Sequence, residues 1–172
     1  MDPENAKAAR NSAVAMLARR AATRRQVVDR LVRRGYARDT AESVTQDLVA
    51  RGYIDDEAFA TSWAAAARRR GCGRAAIVEG LSALGFTRSA ALAVAEATVP
   101  PEDDLPLAQQ AAERWAAGKD LPMDGQGAQK AAARLFAYLL RRGFPAGVSR
   151  KVAMLTVTRR AGEDSVQLDN NF

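Results

Sequence analysis

Apolar residues along this chain recur at helical intervals and stop at a shared signal. Val27, Val28, Leu31 and Val32 precede Gly35; Ala41, Val44 and Leu48 precede Gly52; Ile77, Val78 and Leu81 precede Gly85; Leu135, Leu139 and Leu140 precede Gly143. Spacings of three and four put each set on one face of a helix. The stops read LVRRGY (31–36), LVARGY (48–53), LSALGF (81–86) and LLRRGF (139–144), all of the form Leu-x-x-x-Gly-aromatic. Glycine supplies the left-handed residue that ends a helix, and the leucine and the aromatic are placed as the hydrophobic pair of a Schellman cap. The pattern predicts four helices with one kind of C-terminus.

Helix starts are marked too. Thr23-Arg24-Arg25-Gln26 is a capping box, Asp39 or Thr40 suits the start of the next helix, and Ser89 suits one running through Ala91, Leu92, Val94 and Ala95. Opening helices are expected around Met16-Leu17, around Phe59 and Trp63, and around Leu107, Ala111 and Trp115. A last helix should follow Pro145 and carry Val148, Val152 and Leu155. The elements fall into three tandem three-helix repeats, 5–54, 55–99 and 103–160, in an all-α, elongated and curved arrangement. TVPPEDDLP (98–106) reads as a linker and GKDLPMDGQG (118–127) as a loop. Residues 161–172, AGEDSVQLDNNF, lack a helical period and are expected to form a disordered acidic tail.

Composition agrees with helix: aromatics make up 6% of the 172 residues, and alanine, arginine and leucine abound. With no histidine and one cysteine, Cys72, the chain has no route to Cys/His zinc sites, a Ser-His-Asp triad or an internal disulfide. No stretch approaches the roughly 20 apolar residues of a membrane span, and the N-terminus lacks a signal-peptide pattern, so a soluble cytoplasmic protein is expected.

The net charge of +6 is unevenly placed. Residues 1–54 hold 11 basic and 6 acidic groups, 55–100 hold 5 of each, 101–160 hold 10 and 6, and 161–172 hold 3 acids alone. Two basic regions point to a polyanion or an acidic partner. Asp55, Asp56 and Glu57 invite a catalytic reading, but Asp55 stands where an N-cap belongs and the other two where acids oppose the helix dipole. The GCG at 71–73 lacks the Lys-Ser/Thr of a phosphate-binding loop and reads as a turn between helices, with Cys72 a small turn residue. No cofactor or metal is expected, and the chain is not read as an enzyme.

Taken together, TRRQVVDRLVRRGY, GYIDDEAFA and LLRRGFPAGVSRKV resemble the RecX family of bacterial recombination regulators, over about residues 8–160. The resemblance implies an all-α chain of three tandem three-helix repeats. It also implies a partner, the RecA filament on single-stranded DNA, and a function: blocking filament growth, ATP hydrolysis, strand exchange and LexA cleavage. Gly80-Leu81 departs from the Glu-Leu usual in the family's middle repeat and should soften that helix by about 1 kcal/mol.

Candidate contacts are the clustered cations. Arg33, Arg34, Arg68, Arg69, Arg70, Arg141 and Arg142 fall in last helical turns, where the dipole favours them with or without a partner. Arg24 and Arg25 occupy a first turn, where positive charge is disfavoured, and this cost without visible return marks them as functional. With Arg19 and Arg20 they would form one grip on the filament, and Arg141, Arg142, Arg150 and Lys151 a second. A direct DNA-binding protein of helix-turn-helix character and a helical scaffold for peptides are the rival classes. No leftover apolar face asks for a twin, so a monomer is expected.

Overall fold

The computed structural model describes residues 3–119 and 125–169, with side chains through residue 160. Among these it holds α1 (Pro3–Leu17), α2 (Arg24–Arg33), α3 (Arg38–Ala50), α4 (Asp56–Arg69), α5 (Arg74–Ala83) and α6 (Arg88–Thr98). A 3-10 turn at Pro101–Asp103 leads into α7 (Asp104–Ala116), α8 (Gly125–Arg141) and α9 (Ala146–Asp169). The described residues contain no strand, so the fold is all-α as the periodicity requires.

All four expected helix stops form the expected cap. Gly35 has φ +94°; its N–H donates to Val32 O at 2.9 Å while the Tyr36 N–H donates to Leu31 O at 3.2 Å. The same two bonds close α3 (Gly52 to Val49, Tyr53 to Leu48), α5 (Gly85 to Ser82, Phe86 to Leu81) and α8 (Gly143 to Leu140, Phe144 to Leu139). They satisfy carbonyls that a helix end otherwise leaves free. A fifth cap of this form ends α4, where Gly71 N–H donates to Arg68 O and Cys72 N–H to Ala67 O. The Leu-to-aromatic signature misses it because Ala67 and Cys72 take the places of the apolar pair. Cys72 is thus a turn residue.

The capping box is formed: Thr23 Oγ1 accepts from Gln26 N, and Gln26 Oε1 accepts from Thr23 N, both at 3.2 Å. Asp55 caps α4, its Oδ1 accepting the Ala58 N–H at 2.9 Å. Two other starts are corrected. Helix α3 begins at Arg38 after Ala37, which makes no side-chain cap, so Asp39 lies in the first turn and Thr40 turns into the core. Helix α6 begins at Arg88, one residue before Ser89.

The chain divides into two compact units, one comprising the residues through Trp63 with Leu81–Thr87, the other Ala64–Gly80 with the residues from Arg88 onward. In the first, α3 packs on α1 and α2. Val27, Leu31, Val44 and Leu48 close over Ala9, Ala13 and Ala41, all nearly inaccessible to solvent, with Ile54 beneath the chain that leaves α3. In the second, α9 packs on α7 and α8. Its contact face is Val152, Ala153, Thr156 and Val157, whereas Leu155 is 53% exposed and Met154 61%. Leu155 therefore lies outside the buried stripe, which runs through Val152, Ala153, Thr156 and Val157. Helix α5 runs through Gly80 uninterrupted.

The backbone of α9 runs as helix to Asp169, into the segment whose sequence lacks a helical period. Once a helix is nucleated and held by packing, each further residue adds a hydrogen bond at small cost, so backbone propagation outlasts the apolar stripe. Of the expected loop at 118–127, residues 125–127 open α8, while 120–124 lie outside the described residues.

Candidate partner-binding surface

Each first-turn arginine of α2 meets a carboxylate, Arg24 through its backbone and Arg25 through its side chain. The Arg24 backbone N–H donates to Asp56 Oδ1 at 2.8 Å, so a carboxylate from the start of α4 offsets the positive end of α2. The Arg25 guanidinium lies 3.8 Å from Asp29 Oδ2. Its stem covers Gly85, where a Cβ would come within 2.3 Å of Arg25 Cδ. The premise that the two arginines return nothing to the fold is therefore corrected for the Arg25 side chain, whereas Arg24 bonds only through its backbone, and both side chains remain exposed.

A related pairing stands three helices on, in the second unit, made there by side chains on both sides. Arg74, at the start of α5, donates to Asp104 Oδ2 at 2.5 Å from the start of α7. The turn closing α8 meets the start of α5: Gly73 N–H donates to Arg142 O at 2.7 Å and Ala75 N–H to Gly143 O at 3.2 Å. Carbonyls at one helix end thereby satisfy donors at another helix start. Asp104 is 4% exposed and its Oδ1 has no hydrogen-bond partner. Burial raises its carboxyl above the usual aspartate range, Arg74 pulls it back down, and Asp103 adds to the rise. Of the acids the sequence singled out, Asp55 caps α4 and Asp56 ties it to α2, as Asp104 ties α7 to α5.

The packing of α1 against α2 gathers a different set of arginines from the one expected. Ser12, Ala15, Met16, Arg19 and Arg20 from the end of α1 and its exit, with Arg30 from α2 and Arg34 at its C-cap, line a groove of about 370 Å³. Arg34 Nη1 bonds to Ser12 Oγ. Arg24 and Arg25 do not line this groove. Arg30, absent from the sequence-based candidates, belongs to it. Its i, i+4 relation to Arg34 was visible in the sequence; the adjacency to Arg19 and Arg20 was not.

The remaining candidates divide by what they touch. Arg68 pairs with Asp103 at 2.7 Å. Arg142 donates to Arg70 O at 2.8 Å and lies 5.1 Å from the centroid of the Tyr138 ring. Arg33 donates to Asp29 O at 3.2 Å, and Arg150 stands 5.9 Å over Phe136. Arg69, Arg70, Arg141 and Lys151 are exposed, with no side-chain partner among the described residues.

Short helices with glycine stops, presenting arginine from several helix ends, define an all-α protein with a cationic surface. The model of the RecX first three-helix domain matches residues 9–57. The chain is 32% identical over 153 residues to the regulatory protein RecX of Corynebacterium efficiens, covering 88% of this chain and 72% of that one. It is 33% identical over 130 residues to the regulatory protein RecX of Mycobacteroides abscessus, covering 75% and 62% of the two chains. Its fold matches a crystal structure of regulatory protein RecX with TM-score 0.69 at 20% identity, over 86% of this chain and 71% of the other. RecX from Lactobacillus salivarius gives 0.65 at 19%, over 89% and 97%. The chain belongs to the RecX family of regulatory proteins.

Proposed function

We propose that this protein is a negative regulator of the RecA recombinase. It binds the RecA filament on single-stranded DNA and inhibits filament extension, ATP hydrolysis, strand exchange and LexA cleavage. Likeness to regulatory protein RecX over 88% of the chain carries the reading. It acts through binding and not catalysis, as a cytoplasmic monomer built of three tandem modules at 5–54, 55–99 and 103–160. The placing of contacts supports the modular division: the residue that starts a helix meets an acid that opens a later one, Arg24 through its backbone with Asp56 and Arg74 through its side chain with Asp104. Exposed cations in both units, Arg19, Arg20 and Arg24 in one and Arg69, Arg70, Arg141 and Lys151 in the other, are the contacts we assign to the filament.

The test is DNA-dependent ATP hydrolysis by the same organism's RecA, titrated with this protein. Inhibition well below equal stoichiometry is expected. An unchanged rate with folded protein would leave direct DNA binding, the second reading, which the arginine groove of the first unit favours.

A further inference from the structure

The groove between α1 and α2 concentrates positive charge without a matching acid. Four of its seven lining residues are arginines and none is acidic. The nearby acids are engaged elsewhere: Asp29 faces Arg25 at 3.8 Å, and Asp47 takes Arg10 and Arg51 at 3.0 Å each. Arg19, Arg20 and Arg30 are exposed and have no side-chain partner among the described residues. Arg34 is the exception, anchored to Ser12. Negative helix ends hold these cations near α1 and α2 but offer no acceptors to most of their N–H groups.

Guanidinium forks favour ligands that present pairs of oxygens, and several forks in one groove favour a ligand whose charge recurs along its length. A sugar-phosphate strand does both. Ala15 and Met16 give the groove an apolar wall suited to the sugar, whereas its lining includes no aromatic ring to stack a base and no Asn or Gln to read one. An acidic protein surface would bring carboxylates singly and interspersed with its own cations.

We propose that this groove binds the phosphodiester backbone of a nucleic-acid strand, independently of base sequence. The assignment rests on the filament reading only for its biological setting. It gives the groove to the strand, not to the recombinase.

The experiment is fluorescence anisotropy of labelled oligothymidylate and oligodeoxycytidylate with the full chain, across a salt series. Binding should be alike for the two. The double substitution Arg30→Gln/Arg34→Gln should weaken it about tenfold or more and reduce the slope of log affinity against log salt by about 1.4, at ~0.7 per phosphate contact. Arg38→Gln, outside the groove and paired with Glu42, should change little. Because Arg34 also holds Ser12, Arg19→Gln/Arg20→Gln provides a second variant that leaves that bond intact and should show the same losses.

Oligonucleotide affinity that is absent in the wild type, or equal in wild type and variants, overturns the proposal. So does poly-glutamate binding that depends on these arginines while oligonucleotide binding does not. RecA ATPase measured in parallel separates the two readings. Wild type that inhibits RecA while oligonucleotide affinity ignores the substitutions sinks the groove alone. Arginine-dependent oligonucleotide binding without RecA inhibition sinks the filament reading alone.

Discussion

Asp104 illustrates how single residues in this chain divide between local and distant duties. Its folded carboxyl titrates above the ordinary value of 3.8, so the native state holds that proton more tightly than the unfolded chain does. The associated stability is fully present below 3.8 and is lost as pH rises through the folded value. Urea unfolding across acidic pH should show this falling segment in the wild type and lose it in Asp104→Asn. At neutral pH, Asp104→Ala strands the Arg74 guanidinium, which is 22% exposed, and should cost about 2 kcal/mol, read as a lower urea midpoint. Thr23→Ala removes the capping box and should cost about 1 kcal/mol at unchanged m-value, while Thr23→Ser recovers most of it. Thr23 and its partner were legible in the sequence because they are three residues apart. The Asp104–Arg74 pair spans thirty positions and has no local signature.

Among the elements, the glycine stops carry two different loads. Gly35 has φ +94° and open space where a Cβ would sit, so Gly35→Ala costs only left-handed strain, about 1–2 kcal/mol. Gly143 has φ +84°, and a Cβ there would come within 2.2 Å of Ala76 N, against backbone that cannot turn aside. Gly143→Ala should therefore cost at least about 3 kcal/mol, combining strain with displacement of the α5 start. Thermal melts of the two variants, side by side, check the order. The sequence marks both glycines alike, since it records the cap and not the close approach. The same limit applied to α9, where Val148, Val152 and Leu155 fit a helical stripe but Thr156 and Val157 lie inside and Leu155 outside. In an alanine-rich helix several stripes suit the period, and the neighbouring helices choose among them.

At the scale of the whole molecule, packing sorts the arginines. Arg142→Ala removes a bond to the Arg70 carbonyl and the stacking on Tyr138, and should cost about 1 kcal/mol of stability. Arg69→Glu and Arg141→Glu should stay within about 0.5 kcal/mol, yet weaken RecA inhibition if these cations meet the filament. Melts and ATPase titrations on the same preparations separate the two classes. What the sequence determined by itself was the all-α class, the four glycine stops and the Thr23 and Asp55 caps, written in residues within a few positions of one another, and the resemblance to a family, carried by three motifs along the chain. Which cations remain free, which acids bridge helices and which arginines share a groove were decided by the tertiary structure alone, because those relations depend on which distant segments packing brings within hydrogen-bond reach.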